Sequence, residues 1–139
     1  MGTKNVDKLV KFLEKIKNKP FQYGTLDCAI FTVSAVDSQI GTKLKSKLFG
    51  KYKNLKDIAK RIKEIGKGGY TKAIEKICKD NKFKEISPDY AQRGDAVIMK
   101  EKNKILVGFI GLNNKPIFIS KQGIVEEEKD VIVKAWRIS

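Results

Sequence analysis

The sequence predicts an α+β domain, with helices first and an antiparallel sheet second. Three observations carry that expectation. Apolar residues recur at helical spacing as far as Cys78, and from Phe83 onward short apolar or β-branched runs separated by turn residues replace them. Between the amphipathic stretches lies one segment, about Asp27 to Gln39, with almost no polar face. A helix that is apolar nearly all round is buried, so the later strands should pack on it. The 139 residues suffice for one domain with a proper core, and residues 1–139 read as that single unit.

Val6, Leu9, Val10, Leu13 and Ile16 define the first helix, with lysines on its other face, and Asn18 and Pro20 end it. The stretch from Pro20 reads as a turn that delivers Cys28 to the start of the second helix. That helix runs from about Asp27 to Gln39 and stops at Gly41, with Asp27 as its cap. A loop from Gly41 to Lys53 follows. Asn54 reads as the N-cap of a third helix, with Asp57 in its first turn. Leu55, Ile58, Ala59, Ile62 and Ile65 form its stripe, and Gly66 ends it. Gly68-Gly69 opens a fourth helix with Ala73, Ile74, Ile77 and Cys78 on one face, which makes Cys78 a core residue.

The strands expected are Ala96 to Met99, Ile105 to Gly111, Ile117 to Ile119 and Val131 to Trp136, arranged as a meander. Turns at Lys102-Asn103 and Asn113-Asn114 separate the first three. Asp95 reads as holding a turn through backbone N–H groups, and Trp136 as a core or interface anchor. The acidic run Glu126-Glu127-Glu128 reads as a solvated loop.

Charge narrows the function classes. Thirty Lys and Arg against sixteen acids give a net charge of +14, and only three of the thirty are Arg. Arginine is preferred for reading phosphates and bases, so this balance argues against sequence-specific nucleic-acid recognition. Lysines that solvate the surface, or that meet an acidic protein, explain it better. No apolar run is long enough to span a bilayer, and Met1 to Lys8 lacks the apolar segment of a secretory signal. A soluble chain made in the cytoplasm is expected. Two cysteines fifty residues apart do not suggest a disulfide, and without histidine or a CxxC pair a zinc site is not expected. No cofactor is expected either.

Cys28 is the residue with chemical potential. A thiolate at a helix start is favoured by the macrodipole and by free N–H groups. A nucleophilic cysteine ordinarily works with a general base, most often histidine, and the chain contains none.

Three segments in order resemble the NlpC-like cell-wall peptidases, a branch of the papain-like superfamily. They are Tyr23-Gly24 with Asp27-Cys28, then Gly94-Asp95-Ala96-Val97-Ile98, then Leu106-Val107-Gly108-Phe109-Ile110-Gly111. Over nearly its whole length the chain resembles a phage and prophage group related to those peptidases. The shared features are the Pro20-Phe21 to Asp27-Cys28 opening, Ala91-Gln92-Arg93-Gly94-Asp95, Gly123-Ile124 and Ala135-Trp136-Arg137. The resemblance implies a papain-like (NlpC-like) fold, in which N-terminal helices and a buried central helix pack on a C-terminal antiparallel sheet. It also implies an association with phage tail and virion components.

Leu106 stands where the peptidases place their histidine, and the usual third polar position falls near Pro116 to Ile119, which is apolar here. The vestigial catalytic set implied by the resemblance is therefore Cys28, Tyr23 and Asp27. Leu106 is expected to face the start of the Cys28 helix and make it apolar. The expectation that follows is a non-catalytic phage virion or tail-associated binding component, made in the host cytoplasm. Its partners would be other virion or tail proteins, or cell-envelope material. Two alternatives stay open. One is a thiol hydrolase, a peptidoglycan amidase or endopeptidase, using Cys28 with Asp27 or a lysine as base. The other is a basic DNA-associated virion protein.

Overall fold

The computed structural model describes residues 4–47, 50, 70–102 and 104–139. The expected third helix from Asn54, most of the loop before it, and Gly68-Gly69 lie outside the described residues.

Helix α1 (Val6–Ile16) starts where the Asn5 side chain accepts the Lys8 N–H at 3.1 Å, and it buries Leu9 and Ile16. Helix α2 (Cys28–Ile40) is capped by Asp27 and ends at Gly41, whose φ of 76° is open to glycine at little penalty. Nine of its residues are buried, as the lack of a polar face requires. Helix α3 (Tyr70–Asp80) buries Ala73, Ile74, Ile77 and Cys78 along one stripe.

Six strands follow: β1 (Lys84–Ile86), β2 (Ala96–Glu101), β3 (Lys104–Ile110), β4 (Pro116–Ser120), β5 (Gly123–Glu126) and β6 (Ile132–Arg137). All described pairings are antiparallel, and the order across the sheet is β1-β6-β2-β3-β4-β5. Strands β2, β3 and β4 follow one another as the expected meander, and β5, absent from the expectation, extends it. The last strand departs from it, because β6 returns to the other edge of β2 and takes β1 as its outer neighbour. That position pairs both backbone edges of β6 and seats Trp136 in the core beneath the helices. The acidic run is also only partly a loop, since Glu126 pairs with Ile117 at the end of β5.

Side-chain alternation splits the core into two faces. On one, Ile98, Val107 and Trp136 pack with Ala29, Ile30 and Val33 of α2 and Ile74 and Ile77 of α3. Beside them Phe109, Ile117 and Ile119 pack with Phe31 of α2 and Leu9 of α1, the Phe31 and Phe109 rings 4.8 Å apart. On the opposite face Val97, Met99, Ile110, Phe118, Ile132 and Ala135 form a further cluster. Ala91, just after one short helical turn, and Val131, at the end of another, pack against it, and Lys129 Nζ donates to the Ala91 carbonyl at 3.1 Å.

Asp95 is fully buried and does hold a turn, accepting the Gln92 N–H at 2.9 Å. It also accepts the Ile138 N–H at 3.1 Å, Arg137 Nε at 3.0 Å and Lys4 Nζ at 2.5 Å. One carboxylate thus joins the segment before α1, the entry to β2 and the segment after β6.

Candidate functional site

The site begins with the turn that precedes α2. Gln22 and Leu26 bridge across it, and Gly24 adopts φ 82°. The Asp27 carboxylate accepts the Gly24 N–H at 3.0 Å on one oxygen, and the Ala29 and Ile30 N–H groups at 3.1 and 3.0 Å on the other. These bonds satisfy donors that a helix start leaves orphaned, which explains how a fully buried carboxylate is held there. They also keep Asp27 in a capping role.

Cys28 is the first residue of α2 and is partly buried. Its main-chain oxygen accepts the Thr32 hydroxyl at 2.7 Å. Removal from water pushes the thiol up to about 12, and the adjacent Asp27 carboxylate pushes the same way. The backbone N–H groups of Val107, Ala29 and Cys28 itself pull it down, and they do not prevail. At neutral pH the sulfur is a protonated thiol.

A cavity of about 420 Å³ opens beside this sulfur, between β3 on one side and β4 and β5 on the other. Tyr23, Asp27, Cys28 and Leu106 all line it, so the fold brings together the four positions singled out in the sequence. Phe21 and Tyr23 meet edge to face with ring centroids 5.0 Å apart, and Lys121 Nζ lies 5.9 Å from the Tyr23 ring centroid. Tyr23 is therefore a packing residue and part of an aromatic wall.

Leu106 corrects one expectation. It lines the cavity, but its side chain packs with the cluster of Met99, Ile110 and Phe118 on the sheet face away from the helices. Alternation along β3 is the reason, because Val107 and Phe109 occupy the helix-facing positions. The β3 side chain that shares a cluster with α2 near Cys28 is Val107. No imidazole or carboxylate replaces it. On β4, Ile117 and Ile119 are buried beside Phe31, and Phe118 lines the cavity.

The cavity itself was not foreseen, nor were Glu101, Lys104, Ser120, Lys121 and Gln122, which complete its lining. Gly108 in the middle of an apolar strand signals only the close approach of β3 to β4 at Ile117, next to which the cavity opens. A second, more open cavity of about 390 Å³ lies between α1 and the β4–β5 edge, floored by Leu13, Ile117 and Ile124. Among the described residues no three His, Cys, Asp or Glu side chains are grouped to hold a metal ion. No helix among them is long and apolar enough to cross a membrane.

The chain belongs to the family described as a domain of unknown function, DUF6950, which matches residues 3–138. No curated protein matches it.

Proposed function

We propose that this DUF6950 member is a catalytically silent binding domain on a papain-like, NlpC-like scaffold, serving as a phage virion or tail-associated component. One observation carries the silent part. Cys28 keeps the helix start expected of a nucleophile, but its thiol is pushed up to about 12 and its neighbouring acid is occupied as a helix cap. Papain-like hydrolysis needs an agent that takes the thiol proton and later protonates the leaving group. Neither step has a histidine here, as the chain contains none, and among the described residues the β3 side chain in the cluster that packs against Cys28, Val107, is apolar.

The α+β class, with a buried helix on an antiparallel sheet, is compatible with the papain-like scaffold and supports it at that level. The virion or tail setting rests on the resemblance of the motifs from Pro20 to Cys28 and from Ala91 to Asp95. A cavity beside the former nucleophile suits a domain whose work is to hold a partner.

The test is incubation of the purified protein with peptidoglycan and with its stem peptides, following release of free amines. General acid–base catalysis contributes roughly 10² to 10⁴ in rate, so its loss should leave release at the level of the Cys28→Ala variant. Amine release by the native protein that Cys28→Ala abolishes would establish the thiol hydrolase instead.

A further inference from the structure

The sheet is split between β3 and β4. The two strands pair only at Phe109 with Ile117 and at Ile110 with Pro116, although β3 begins at Lys104 and β4 runs to Ser120. Beyond that short seam no described strand pairs with β3 on its β4 side, and the cavity fills the gap.

The direction of the main-chain groups follows from the bonds flanking the seam. Ile110 N–H donates to the Asp95 carbonyl at 2.9 Å, toward β2. In an antiparallel ladder successive residues point their main-chain groups to opposite sides. Ile105, Val107 and Phe109 therefore point theirs toward β4. Pro116 accepts the Glu127 N–H at 2.9 Å on the β5 side, so Ile117 and Ile119 point toward β3. Phe109 and Ile117 meet in the seam, and the Val107 N–H is turned to the Cys28 sulfur. Ile105 on one wall and Ile119 on the other thus present strand-type donors and acceptors to the same gap. Backbone groups of this kind call for partners, and an extended chain between them supplies both rows at once.

Charge selects among extended chains. Lys104 and Lys121 stand in the gap with two acids, Glu101 and Asp27; the Asp27 carboxylate is already engaged by three backbone N–H groups at the start of α2, and the protein carries a net charge of +14. The floor offered to alternate side chains is apolar, made by Leu106, Phe118 and Val125.

We infer that the gap between β3 and β4 receives an extended segment of a partner protein, with apolar and acidic residues in alternation, as an added strand. This inference rests on the silent-scaffold reading, in which the site holds a chain and does not cut it.

The experiment uses the full-length, ¹⁵N-labelled protein and three octapeptides. One alternates Val and Glu, one alternates Val and Lys, and one is the Val–Glu peptide N-methylated at every second residue. The Val–Glu peptide should bind and shift the amide signals of Ile105 and Ile119, while the other two bind at least about tenfold more weakly. Ile105→Pro removes an N–H that faces the gap and leaves the β2 ladder intact, so it should abolish binding. Lys121→Glu, which does not touch the backbone, should weaken the Val–Glu peptide and favour the Val–Lys peptide. Equal binding of all three peptides, no binding of any, or shifts confined to α1 and β5 would overturn the added strand. Cleavage of the bound peptide that Cys28→Ala abolishes would overturn the silent scaffold, whereas retained binding by that variant would still support the added strand.

Discussion

The Cys28 sulfur stands between opposing influences, and desolvation wins over the N–H groups that would favour a thiolate. Cys78 shows the same outcome more simply. It is buried in the core cluster of α2 and α3, and burial pushes its thiol up to about 12, with Glu75 adding to the effect. Both thiols ionise near 9 in the unfolded chain and stay protonated to about 12 in the folded one. Above pH 9 the unfolded state therefore binds fewer protons than the folded state, and stability falls as pH rises toward 12. Each thiol contributes a slope of about 1.4 kcal/mol per pH unit across that window. Urea unfolding of the native protein and of the Cys28→Ala and Cys78→Ala variants at pH 8 and pH 10.5 measures it. Each variant should lose less stability between the two pH values than the native protein does, and equal losses would contradict the assignment. The cap at Asp27 could be read from its place before an apolar run, because capping is local chemistry. The state of the Cys28 thiol could not. It depends on Val107 and on a cavity wall built from Phe118 and Ile119, remote in sequence.

Gly108 governs how β3 and β4 meet. A Cβ at this position would lie 2.0 Å from the Ile117 carbonyl oxygen and 2.8 Å from Met99 Cε. The first contact is with backbone, so no rotamer change relieves it, and the seam must open. Gly108→Ala should lower stability by about 1–3 kcal/mol, as overpacking in cores does. It should also shift the amide signals of Phe109 and Ile117 while leaving those of β1 and β6 in place. A variant as stable as the native protein would mean that the strands tolerate a wider approach. The elements readable in advance were those with long apolar periodicity: α1, α2, α3, and strands β2, β3, β4 and β6. Strands β1 and β5 escaped because Lys84-Glu85-Ile86 and Gly123-Ile124-Val125-Glu126 are short, partly polar edge segments whose pairing is set by their neighbours. The place of β6 beside β2 escaped for a related reason. Its apolar run identifies a strand, whereas its partner is chosen by where Trp136 can be buried.

Across the whole molecule the lysine excess sets how it meets polyanions. If the charge only solvates the surface, duplex DNA should bind with a Kd of about 10⁻⁴ to 10⁻⁶ M near physiological salt, and weaken steeply as salt rises. Two duplexes of unrelated sequence, titrated at two salt concentrations, should give the same curves. A tight complex that separates the two sequences would revive the DNA-associated alternative. The buried Asp95 bears on a different property of the molecule. Because Lys4, Arg137 and the Ile138 N–H converge on it, the segment before α1 and the segment at the end of β6 are anchored at one point beside the entry to β2. Tension applied through residues 4 and 138 enters at that clasp, and there it meets β6 and β2, which are laddered together. A pull that separates residue 4 from residue 138 must therefore break the Lys4–Asp95 ion pair, and neither end of that pair lines the opening beside Cys28.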